Sequence, residues 1–361
     1  MLVAIFVWNL GGGGAERVAL TSANDLIARG HDVDLVLITG GGELLPLLSP
    51  KVRVIELRAP RRIASLPRLI RYLRKRRPDA LHAIMWPNTI IAVLAHRLAR
   101  SRARLTVSDH THYSQHFAQS GHGKELRNFR WTTRLFYPLA DVRIACSAAA
   151  ADDLAGLAHI PRDHIDVVYS PISPPSTLAK TKEAEALWRG AAKKILNIGS
   201  MNPVKNQALL LRAFARLDDP EAVLVILGDG AERGRLEALA LDLGIADRVV
   251  MPGFVVDPWP YLAAADLFVL SSNYEGSPVA LAEAMYAGLN VASTDCVSGP
   301  AELLDGGRLG ELAPCNDEAA LAEAMRRALA RTPDPQTMRN RALEMTGSAS
   351  VARYFELVTG G

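Results

Sequence analysis

The feature that most constrains the fold is an alternation of short, predominantly apolar runs with amphipathic stretches. In the first half of the chain the apolar runs are LVAIFVWNL (2–10), VDLVLIT (33–39), ALHAIM (80–85) and RLTVSD (104–109). A strand that is apolar on both sides has both of its sheet faces covered, whereas a strand with one face in solvent alternates apolar and polar residues. The first half therefore predicts a parallel sheet between two layers of helices.

The same rhythm restarts after DVVYSPISPPS (166–176), whose clustered prolines predict an irregular connection. The second set of apolar runs is KILNIGS (194–200), AVLVILGDG (222–230), RVVMPGF (248–254), LFVLSS (267–272) and NVASTD (290–295). We predict an α/β protein with two Rossmann-like domains that face each other across a cleft, because ligands bind at the carboxyl ends of parallel strands. The expected ranges are 1–172 for the first domain, 173–190 for a linker, 191–335 for the second domain and 336–361 for a C-terminal helical segment.

Length and composition agree with two cores. The chain has 361 residues, of which 49% are hydrophobic and 22% charged, which is typical of a soluble globular protein. The apolar N-terminus lacks a basic region and a small-residue cleavage site, so we interpret it as a buried strand and not as a signal peptide. Three widely spaced cysteines favour a reducing, cytoplasmic compartment.

Charge is distributed unevenly. Residues 1–172 hold 23 Lys and Arg against 14 Asp and Glu, whereas the remainder holds 18 against 24. Nine of the basic residues lie in 58–78, where apolar residues recur at helical spacing. In one interpretation this helix lies on anionic lipid through its cations, namely Arg68, Arg71, Arg74 and Lys75. In the other interpretation the apolar face of the helix packs on the sheet and its cations are solvated. The two interpretations are compatible. Nucleic acid is disfavoured as a partner.

The strongest motif is LFVLSSNYEGSPVALAEAMYAG (267–288). A predicted strand runs into a turn that holds Glu275. A helix then begins with Gly276, Ser277 and Pro278, and Glu283 lies inside that helix. Free N–H groups at a helix start suit a phosphate or a sugar hydroxyl. Without this context, Glu275 would be a carboxylate that favours the helix dipole and Glu283 a solvated helix residue.

This segment resembles the family 4 glycosyltransferases, which are retaining enzymes of the GT-B fold with an E-x7-E motif inside EG-x-P. The segments NIGSMNPVKN (197–206), LGDGAERGRLEALA (227–240) and SGPAELLDGGRLGELAP (298–314) resemble further parts of that family in order and spacing. GGGGAERVALTSANDLIARGHDVDLV resembles its glycine-rich opening. The resemblance covers nearly the whole chain and implies that the C-terminal helix returns to the first domain.

The resemblance also assigns roles to residues. Glu283 would bind the ribose hydroxyls of the donor, Glu275 a hydroxyl of the donor sugar, and Lys205 the diphosphate, whose charge grows as the sugar leaves. The resemblance also implies further contacts with the nucleotide-sugar donor, at Gly199, Ser200, Gly228, Phe254, Gly276, Ser277, Pro278 and Val279. The family commonly has Gly-Arg where this chain has Gly199-Ser200, so either Lys205 carries more of the diphosphate or another cation compensates.

In the first half, the glycine run 11–14 lies between the first strand and the first helix. By resemblance Gly13 and Gly14 would contact the donor phosphate or the acceptor; the alternative is a tight strand-to-helix turn. His110 stands where the family has a histidine facing the donor sugar, and domain closure would bring it to Lys205 and Glu275. His110, His112 and His116 together suggest a metal site only weakly, because no carboxylate or cysteine cluster completes them; we expect no metal and no cofactor beyond the donor.

These observations predict a hexosyl- or N-acetylhexosaminyl-type transferase. It would use a UDP-linked sugar, with a GDP-linked sugar as the alternative, and act on a glycan or a polyprenyl-linked acceptor in surface polysaccharide or glycolipid assembly. The resemblance implies front-face attack with retention of configuration. A sugar epimerase of the same fold and a non-catalytic nucleotide-sugar-binding partner remain alternatives, whereas an NAD-dependent enzyme lacks its fingerprint. We expect a cytoplasmic protein with peripheral contact to the inner face of the cell membrane.

Overall fold

The computed structural model describes residues 1–121 and 123–360. The chain divides into two compact units, one formed by Met1–Pro171 with Ser348–Gly361 and the other by Ile172–Gly347. Each unit is built around one parallel sheet, as the apolar runs predict.

The sheet of the first unit has seven strands in the order β3-β2-β1-β4-β5-β6-β7, and all neighbouring strands run parallel. Its strands are β1 (Leu2–Val7), β2 (Asp32–Leu37), β3 (Arg53–Glu56), β4 (Ala80–Ile84), β5 (Arg104–Asp109), β6 (Val142–Ala145) and β7 (Asp166–Val167). The chain winds outward from β1 in one direction and from β4 in the other, so the order reverses between these two neighbours.

The sheet of the second unit has six parallel strands in the order β10-β9-β8-β11-β12-β13. Its strands are β8 (Lys193–Ile198), β9 (Ala222–Leu227), β10 (Val249–Gly253), β11 (Leu267–Leu270), β12 (Asn290–Thr294) and β13 (Glu311–Ala313). Here the order reverses between β8 and β11.

Helices cover the faces of both sheets. In chain order they are α1 (Gly14–Ala28), α2 (Leu66–Arg76), α3 (Asn88–Ala99), α4 (Tyr113–Ser120), α5 (Gly123–Phe136), α6 (Ala148–Ala158), α7 (Lys182–Ala186), α8 (Gln207–Leu217), α9 (Arg233–Asp242), α10 (Trp259–Ala264), α11 (Val279–Ala287), α12 (Pro300–Leu303), α13 (Glu318–Ala330), α14 (Pro335–Thr346) and α15 (Ser348–Thr359). Ser147 is the N-cap of α6, since its hydroxyl accepts a hydrogen bond from Ala150 N at 3.1 Å.

Within the first unit, side chains of β4 and β5 alternate between the two sheet faces. Leu81 and Leu105 join the core formed with α2, α3, α5 and α6. On the opposite face, α15 contacts β4, β5 and α1. The C-terminal helix therefore packs in the first unit, as the resemblance implies.

The structure changes two of the expected ranges. The proposed linker 173–190 is part of the second unit, because it contains α7 and the fully buried Trp188, whose indole N–H donates to Ile195 O at 3.3 Å. The return segment is shorter than 336–361: α14 belongs to the second unit, where Ala342 is fully buried in the core. Because a fully buried aromatic side chain packs in the core of one domain, the backbone that carries it belongs to that domain. Proline content alone therefore placed the linker wrongly.

Candidate active site

The reversal of strand order in the second sheet positions the main candidate residues. Connections that leave β8 and β11 run in opposite directions, and the resulting crevice at the carboxyl ends of such strands is where open α/β sheets bind ligands. Lys205 follows β8 and Glu275 follows β11. The two residues are 70 positions apart in sequence but emerge from adjacent strands.

Lys205 and Glu275 form an ion pair. Lys205 Nζ donates to Glu275 Oε1 at 2.7 Å, and the hydroxyl of Ser272 donates to the same oxygen at 2.6 Å. The Glu275 side chain is 8% exposed and that of Lys205 27%. The cation expected at the diphosphate therefore rests against the carboxylate expected at the sugar. A bound diphosphate would compete with Glu275 for the ammonium group.

The two loops that carry this pair are joined by hydrogen bonds. The Ser271 hydroxyl donates to Lys205 O at 2.8 Å, and Asn273 N donates to Val204 O at 2.8 Å. Asn206 has a left-handed backbone (φ 46°), caps α8 by accepting from Leu209 N at 3.3 Å, and donates to Asn273 Oδ1 at 2.9 Å. These contacts fix the separation of the two loops before a ligand binds.

Glu283 lies in α11 and is only 6% exposed. The interpretation of Glu283 as a solvated helix residue is therefore wrong. A proline that opens a helix commonly occupies the first helical position, but α11 begins at Val279 and Pro278 is its N-cap. The backbone N–H groups of the first turn, at Val279 and the residue after it, have no acceptor within the helix and suit an anion or a hydroxyl.

The turn before α11 is held by the segment that follows β12. The Ser298 hydroxyl donates to Gly276 O at 2.8 Å, and Gly299 (φ 103°) approaches the ring of Pro278 so closely that an added Cβ would lie 2.3 Å from Pro278 Cδ. Only glycine meets both demands. Ser277 occupies the middle of this turn. The Gly-Ser-Pro start is thus shaped by a neighbouring loop that the motif itself does not include.

The expected diphosphate pocket around Gly199 depends on close backbone contact. Gly228 has φ 138°, and a Cβ there would lie 2.1 Å from Gly199 O. Gly199 N donates to Leu227 O at 2.9 Å, and Ser200 is exposed. Phe254, which follows β10, is half-buried.

Arg233 is a cation near the end of β10. Its guanidinium donates to Met251 O at 2.9 and 3.1 Å and pairs with Asp229 at 3.6 Å and Glu237 at 3.5 Å. Because these partners already hold it, Arg233 is a poor replacement for an arginine at position 200.

In the first unit, the glycine run opens α1. Gly13 is the N-cap and Gly14 the first helical residue. A Cβ on Gly13 would lie 2.4 Å from Glu16 Oε2, so the carboxylate of the first turn folds back on the helix start. Burial raises the pKa of Glu16. The run therefore has a structural role in this turn, and its N–H groups remain suited to an anion.

His110 follows β5, next to the point where the first sheet reverses. Its Nε2 is 3.1 Å from the Ser108 hydroxyl and its Nδ1 3.5 Å from the Ser170 hydroxyl. Burial lowers the pKa of His110 to about 4. The imidazole is therefore neutral at physiological pH and acts as a hydrogen-bonding group, not as a cation.

The segment 111–131, which no motif explained, contains α4 and the first part of α5. His112 caps α4, with Nδ1 3.5 Å from Gln115 N and 3.4 Å from Asp153 Oδ2, and the ring of His116 lies against the ring of Phe117. Over residues 1–121 and 123–360, no group of three or more His, Cys, Asp or Glu side chains is arranged to hold a metal ion.

Sequence reasoning missed Asp109, the last residue of β5. It is buried and accepts hydrogen bonds from the phenols of Tyr113 at 2.5 Å and Tyr137 at 2.6 Å, and from Trp86 N at 3.1 Å. Burial raises its pKa despite these donors. The available signal was a carboxylate at the carboxyl end of a predicted parallel strand, where ligands bind. Asp109 orders the loops beside His110.

The basic helix α2 packs its apolar face inward and leaves its cations at the surface. Leu69, Tyr72 and Leu73 are buried in the core. Arg68 donates to the carbonyl oxygens of Leu57 and Arg58, and Arg74 to Leu98 O at 2.9 Å. Arg71 and Lys75 are exposed. The apolar face thus packs inward and all four named cations are exposed, although Arg68 and Arg74 also donate to backbone carbonyls.

No helix in the described part of the chain is long and apolar enough to cross a membrane.

Two family models match adjacent parts of the chain. The model described as glycosyl transferases group 1 matches residues 179–345, and that of glycosyltransferase family 4 matches residues 12–174. Together they span both units and include Glu275, Glu283, Lys205 and His110.

Individual proteins agree with these matches. The chain is 28% identical over 338 residues to N-acetylgalactosamine-N,N'-diacetylbacillosaminyl-diphospho-undecaprenol 4-alpha-N-acetylgalactosaminyltransferase of Campylobacter jejuni, covering 91% of this chain and 90% of that one. It is 25% identical to the amylovoran biosynthesis glycosyltransferase AmsD of Erwinia amylovora, over 81% and 80% of the two chains. The crystal structure of Anabaena Alr3699/HepE in complex with UDP-glucose has the same fold, with a TM-score of 0.81, 20% identity and 100% of each chain covered.

Proposed function

Because this chain belongs to glycosyltransferase family 4, we propose that it transfers a hexose or N-acetylhexosamine from a nucleotide sugar to a glycan or polyprenyl-linked acceptor, with retention of configuration. The observation that carries the proposal is the pair formed by Lys205 and Glu275 at the strand-order reversal of the second sheet. A cation and a carboxylate at this edge suit the two parts of a nucleotide sugar, the anionic diphosphate and the hydroxyl-bearing ring.

Lys205 would stabilise the diphosphate as negative charge develops on it during departure of the sugar. Such a contact is worth more in the transition state than in the ground state, and therefore raises turnover. Release of Lys205 to the diphosphate frees Glu275 to accept a hydrogen bond from a hydroxyl of the sugar. Ser272 keeps the carboxylate in place during this exchange.

Glu283 would accept hydrogen bonds from the ribose hydroxyls of the nucleotide. Its burial in α11, one helical turn beyond the free N–H groups of the helix start, supports this role. A buried carboxylate that accepts from paired hydroxyls favours ligands that have them, because those ligands make two hydrogen bonds that others do not.

In the reaction we propose, the bond from the anomeric carbon to the diphosphate oxygen breaks and a bond to the acceptor oxygen forms on the same face. The acceptor proton passes to the leaving diphosphate. Cys296 lies close to Glu275, but burial, reinforced by the Glu275 charge, raises the pKa of its thiol, so it stays protonated and is a poor nucleophile. His110, as a neutral imidazole, would donate to a hydroxyl of the transferred sugar.

We propose a UDP-linked donor, since the structurally similar Anabaena protein binds UDP-glucose and the Campylobacter relative is named for N-acetylgalactosamine transfer. That relative acts on a diphospho-undecaprenol-linked sugar and AmsD serves amylovoran biosynthesis, which supports an acceptor in surface polysaccharide or glycolipid assembly.

We also propose that the enzyme is cytoplasmic and meets the inner membrane face through the layer formed by α2, α3 and α5. Helix α3 contacts both of the others. The layer exposes Arg71 and Lys75 on α2 and the apolar Trp131 (62% exposed) and Leu135 (48% exposed) on α5. Exposed tryptophan among cations is typical of surfaces that lie at a lipid headgroup boundary.

Donor binding can be tested by thermal shift with UDP, GDP, their sugars and NAD. We expect UDP or a UDP-sugar to raise the melting temperature of the wild type. We expect Glu283→Ala to lose most of this shift, whereas Glu275→Gln keeps it and lowers kcat by about 100-fold or more, since its contact is made mainly in the transition state. Equal UDP affinity in wild type and Glu283→Ala would remove the ribose role, and a shift with NAD alone would remove the donor site altogether.

A further inference from the structure

An open cleft lies at the edge of the first sheet where β4 and β5 begin, between the C-terminal ends of α2 and α3. Its volume is about 780 Å³, and it is lined by the segments 73–79 and 99–102. His110 follows the other end of β5, so the cleft lies at the opposite edge of the sheet from this candidate active-site residue. The cleft is therefore separate from the site residues of the first unit.

Arginine dominates the lining of this cleft. Its charged side chains are four arginines and one aspartate, namely Arg74, Arg77, Arg100, Arg102 and Asp79. All four arginines are exposed. One carboxylate oxygen of Asp79 already accepts a hydrogen bond from Leu2 N, at 2.7 Å. The cleft formed by these side chains, which we call the arginine cleft, thus carries four positive charges against one negative charge.

Three of these arginines have no carboxylate to neutralise them. Over residues 1–121 and 123–360, the guanidinium groups of Arg77, Arg100 and Arg102 have no carboxylate oxygen within 4.0 Å. Arg76, at the end of the same α2, differs from them because it pairs with Asp34 at 2.9 Å. Like charges that line one cleft repel one another, and an anion bound between them offsets that repulsion.

The helix dipoles account for only some of these cations. Arg77 and Arg100 are the C-caps of α2 and α3, where a cation is favourable. Their backbone N–H groups donate to the last turns of the two helices, at 3.0 and 3.1 Å, which fixes where their side chains begin. Arg102 belongs to neither helix, since it lies in the connection from α3 to β5, and it lines the same cleft. The shared feature of these arginines is therefore the cleft and not a helix end.

Guanidinium groups around a cleft suit a phosphate. The group is planar and always charged, and its fork of N–H donors matches two phosphate oxygens at once. A phosphate diester also leaves room for the glycerol that it carries, because the cleft is large and open to solvent.

The cleft continues onto the outer surface of α2. A second cleft, of about 510 Å³, is lined by Pro67, Ile70, Arg71, Arg74 and Lys75, so it shares Arg74 with the first. This outer surface is the part of α2 that would meet the membrane under the function proposed above. We propose that the arginine cleft binds the phosphate group of an anionic phospholipid.

This inference rests on the proposed membrane contact and adds to it a site for one lipid headgroup. Cations spread over a surface attract anionic lipid through their charge, so lysine serves there as well as arginine. A site that binds phosphate oxygens in pairs needs the shape of the guanidinium group, so lysine is a poor substitute in it. Replacement of arginine by lysine therefore separates a headgroup site from general attraction.

The test is co-sedimentation with phosphatidylcholine vesicles that contain phosphatidylglycerol, at fixed ionic strength. We expect Arg100→Lys with Arg102→Lys to bind about fivefold more weakly than wild type, although the net charge is unchanged. Arg100→Gln with Arg102→Gln should lose about 25-fold, the effect of two cations at a lipid surface. Urea denaturation of each variant checks that these exposed substitutions leave the fold intact.

Lys51→Gln with Lys182→Gln is the matched control for the loss of charge. It removes two exposed cations that line neither cleft, and it should bind the vesicles within about twofold of wild type. Loss of binding in both arginine variants with the control unaffected would support the headgroup site.

The outcomes separate this inference from the membrane contact. Equal vesicle binding by wild type and the lysine variant would overturn the headgroup site and leave the membrane contact standing. A wild type that does not bind the vesicles would overturn both. Isothermal titration with inorganic phosphate is the second measurement. If phosphate binds wild type and not the lysine variant, while both bind vesicles equally, the cleft takes a free phosphate and the assignment to a lipid is overturned.

Discussion

Lys205 and Glu275 depend on each other because both are largely removed from water. Breaking a mostly buried ion pair by removing one partner leaves the other charge uncompensated, which costs more than the pair itself contributes. An anion that binds Lys205 must therefore bring a hydrogen-bond donor for Glu275, so that neither charge is left without a partner. A nucleotide sugar offers both groups in one molecule.

Gly228 is expected to be intolerant of any side chain. Its φ of 138° and the 2.1 Å approach of an added Cβ to Gly199 O mean that Gly228→Ala strains the backbone and displaces the loop before Lys205. We expect a loss of about 2 kcal/mol or more in the free energy of unfolding, measured with urea. Gly234→Ala is the control, because a Cβ added at this position in α9 would have no neighbouring side chain or distant backbone atom within 4 Å. This variant should be neutral or stabilising by up to about 1 kcal/mol. Similar losses in both variants would contradict this account.

His82 and His110 predict a pH dependence of stability. Their pKa values, about 3 and about 4, lie below the ordinary value, so the unfolded chain takes up protons first. Their contribution to stability is complete above about pH 6.5 and falls as the pH drops towards 4, by up to about 1.4 kcal/mol per pH unit for each histidine.

The raised pKa of Asp109 acts with the opposite sign at acid pH, so a difference between variants is the useful measurement. We expect the unfolding free energy of His82→Asn to fall less steeply than that of wild type between pH 6 and pH 4. His159→Asn, at an exposed position, should follow the wild-type curve. Parallel curves for wild type and His82→Asn would show that His82 does not resist protonation.

At the scale of elements, residues 172–190 between the two sheets are the segment whose structure the amino-acid composition predicts least well. Clustered prolines suggested a free linker, but α7 and Trp188 attach residues 172–190 to the core of the second unit. The N-cap of α7 is made by the Thr181 hydroxyl, which accepts from Ala184 N at 3.2 Å. The segment is thus a folded part of the domain it precedes.

This attachment predicts a large effect of Trp188→Ala. Removal of a fully buried indole typically costs about 3–5 kcal/mol in the free energy of unfolding. Trp131→Ala removes the same side chain from a position that is 62% exposed and should change stability by less than about 0.5 kcal/mol. Urea denaturation of both variants measures the difference, and equal effects would mean that 172–190 is a linker after all.

At the scale of the whole molecule, the two halves of the chain carry net charges of opposite sign. The first half of the chain is basic and the second acidic. Cations at an exposed surface attract anionic lipid over roughly a Debye length, about 8–10 Å at physiological ionic strength. The uneven charge would orient the protein at a membrane with its first unit towards the lipid.

We expect the protein to co-sediment with vesicles that contain anionic lipid, and binding to decrease as salt rises. Reversal of two exposed cations of α2 that donate to no backbone carbonyl given above, Arg71→Glu with Lys75→Glu, should weaken binding by about 3–4 kcal/mol if each lost cation contributes about 1 kcal/mol and each new acid opposes binding similarly. The matched control is Lys51→Glu with Lys182→Glu, which changes the net charge equally at exposed positions outside the layer. Equal loss of binding in both pairs would mean that overall charge and not this layer is responsible.

The sequence by itself determined the class of fold, because whether a strand is apolar on one face or two is a local property. The runs at 2–10 and 194–200 predicted buried strands, and the structure has β1 and β8 there. It also predicted the strand-turn-helix junction at 267–288, because an apolar run, a Gly-Ser-Pro turn and an apolar helix follow one another there. Local periodicity and turn chemistry indicate such a junction, although the loop after β12 holds the turn in its final geometry.

Only the tertiary structure decided which distant residues meet. The 2.7 Å contact of Lys205 with Glu275 follows from β8 and β11 being neighbours, and strand order is set by packing between segments far apart in sequence. The same holds for Tyr354 with His82, 272 positions apart, and for Trp188 in the second core. A local pattern shows that a side chain will be buried, but its partner depends on the free energy of the whole assembled core.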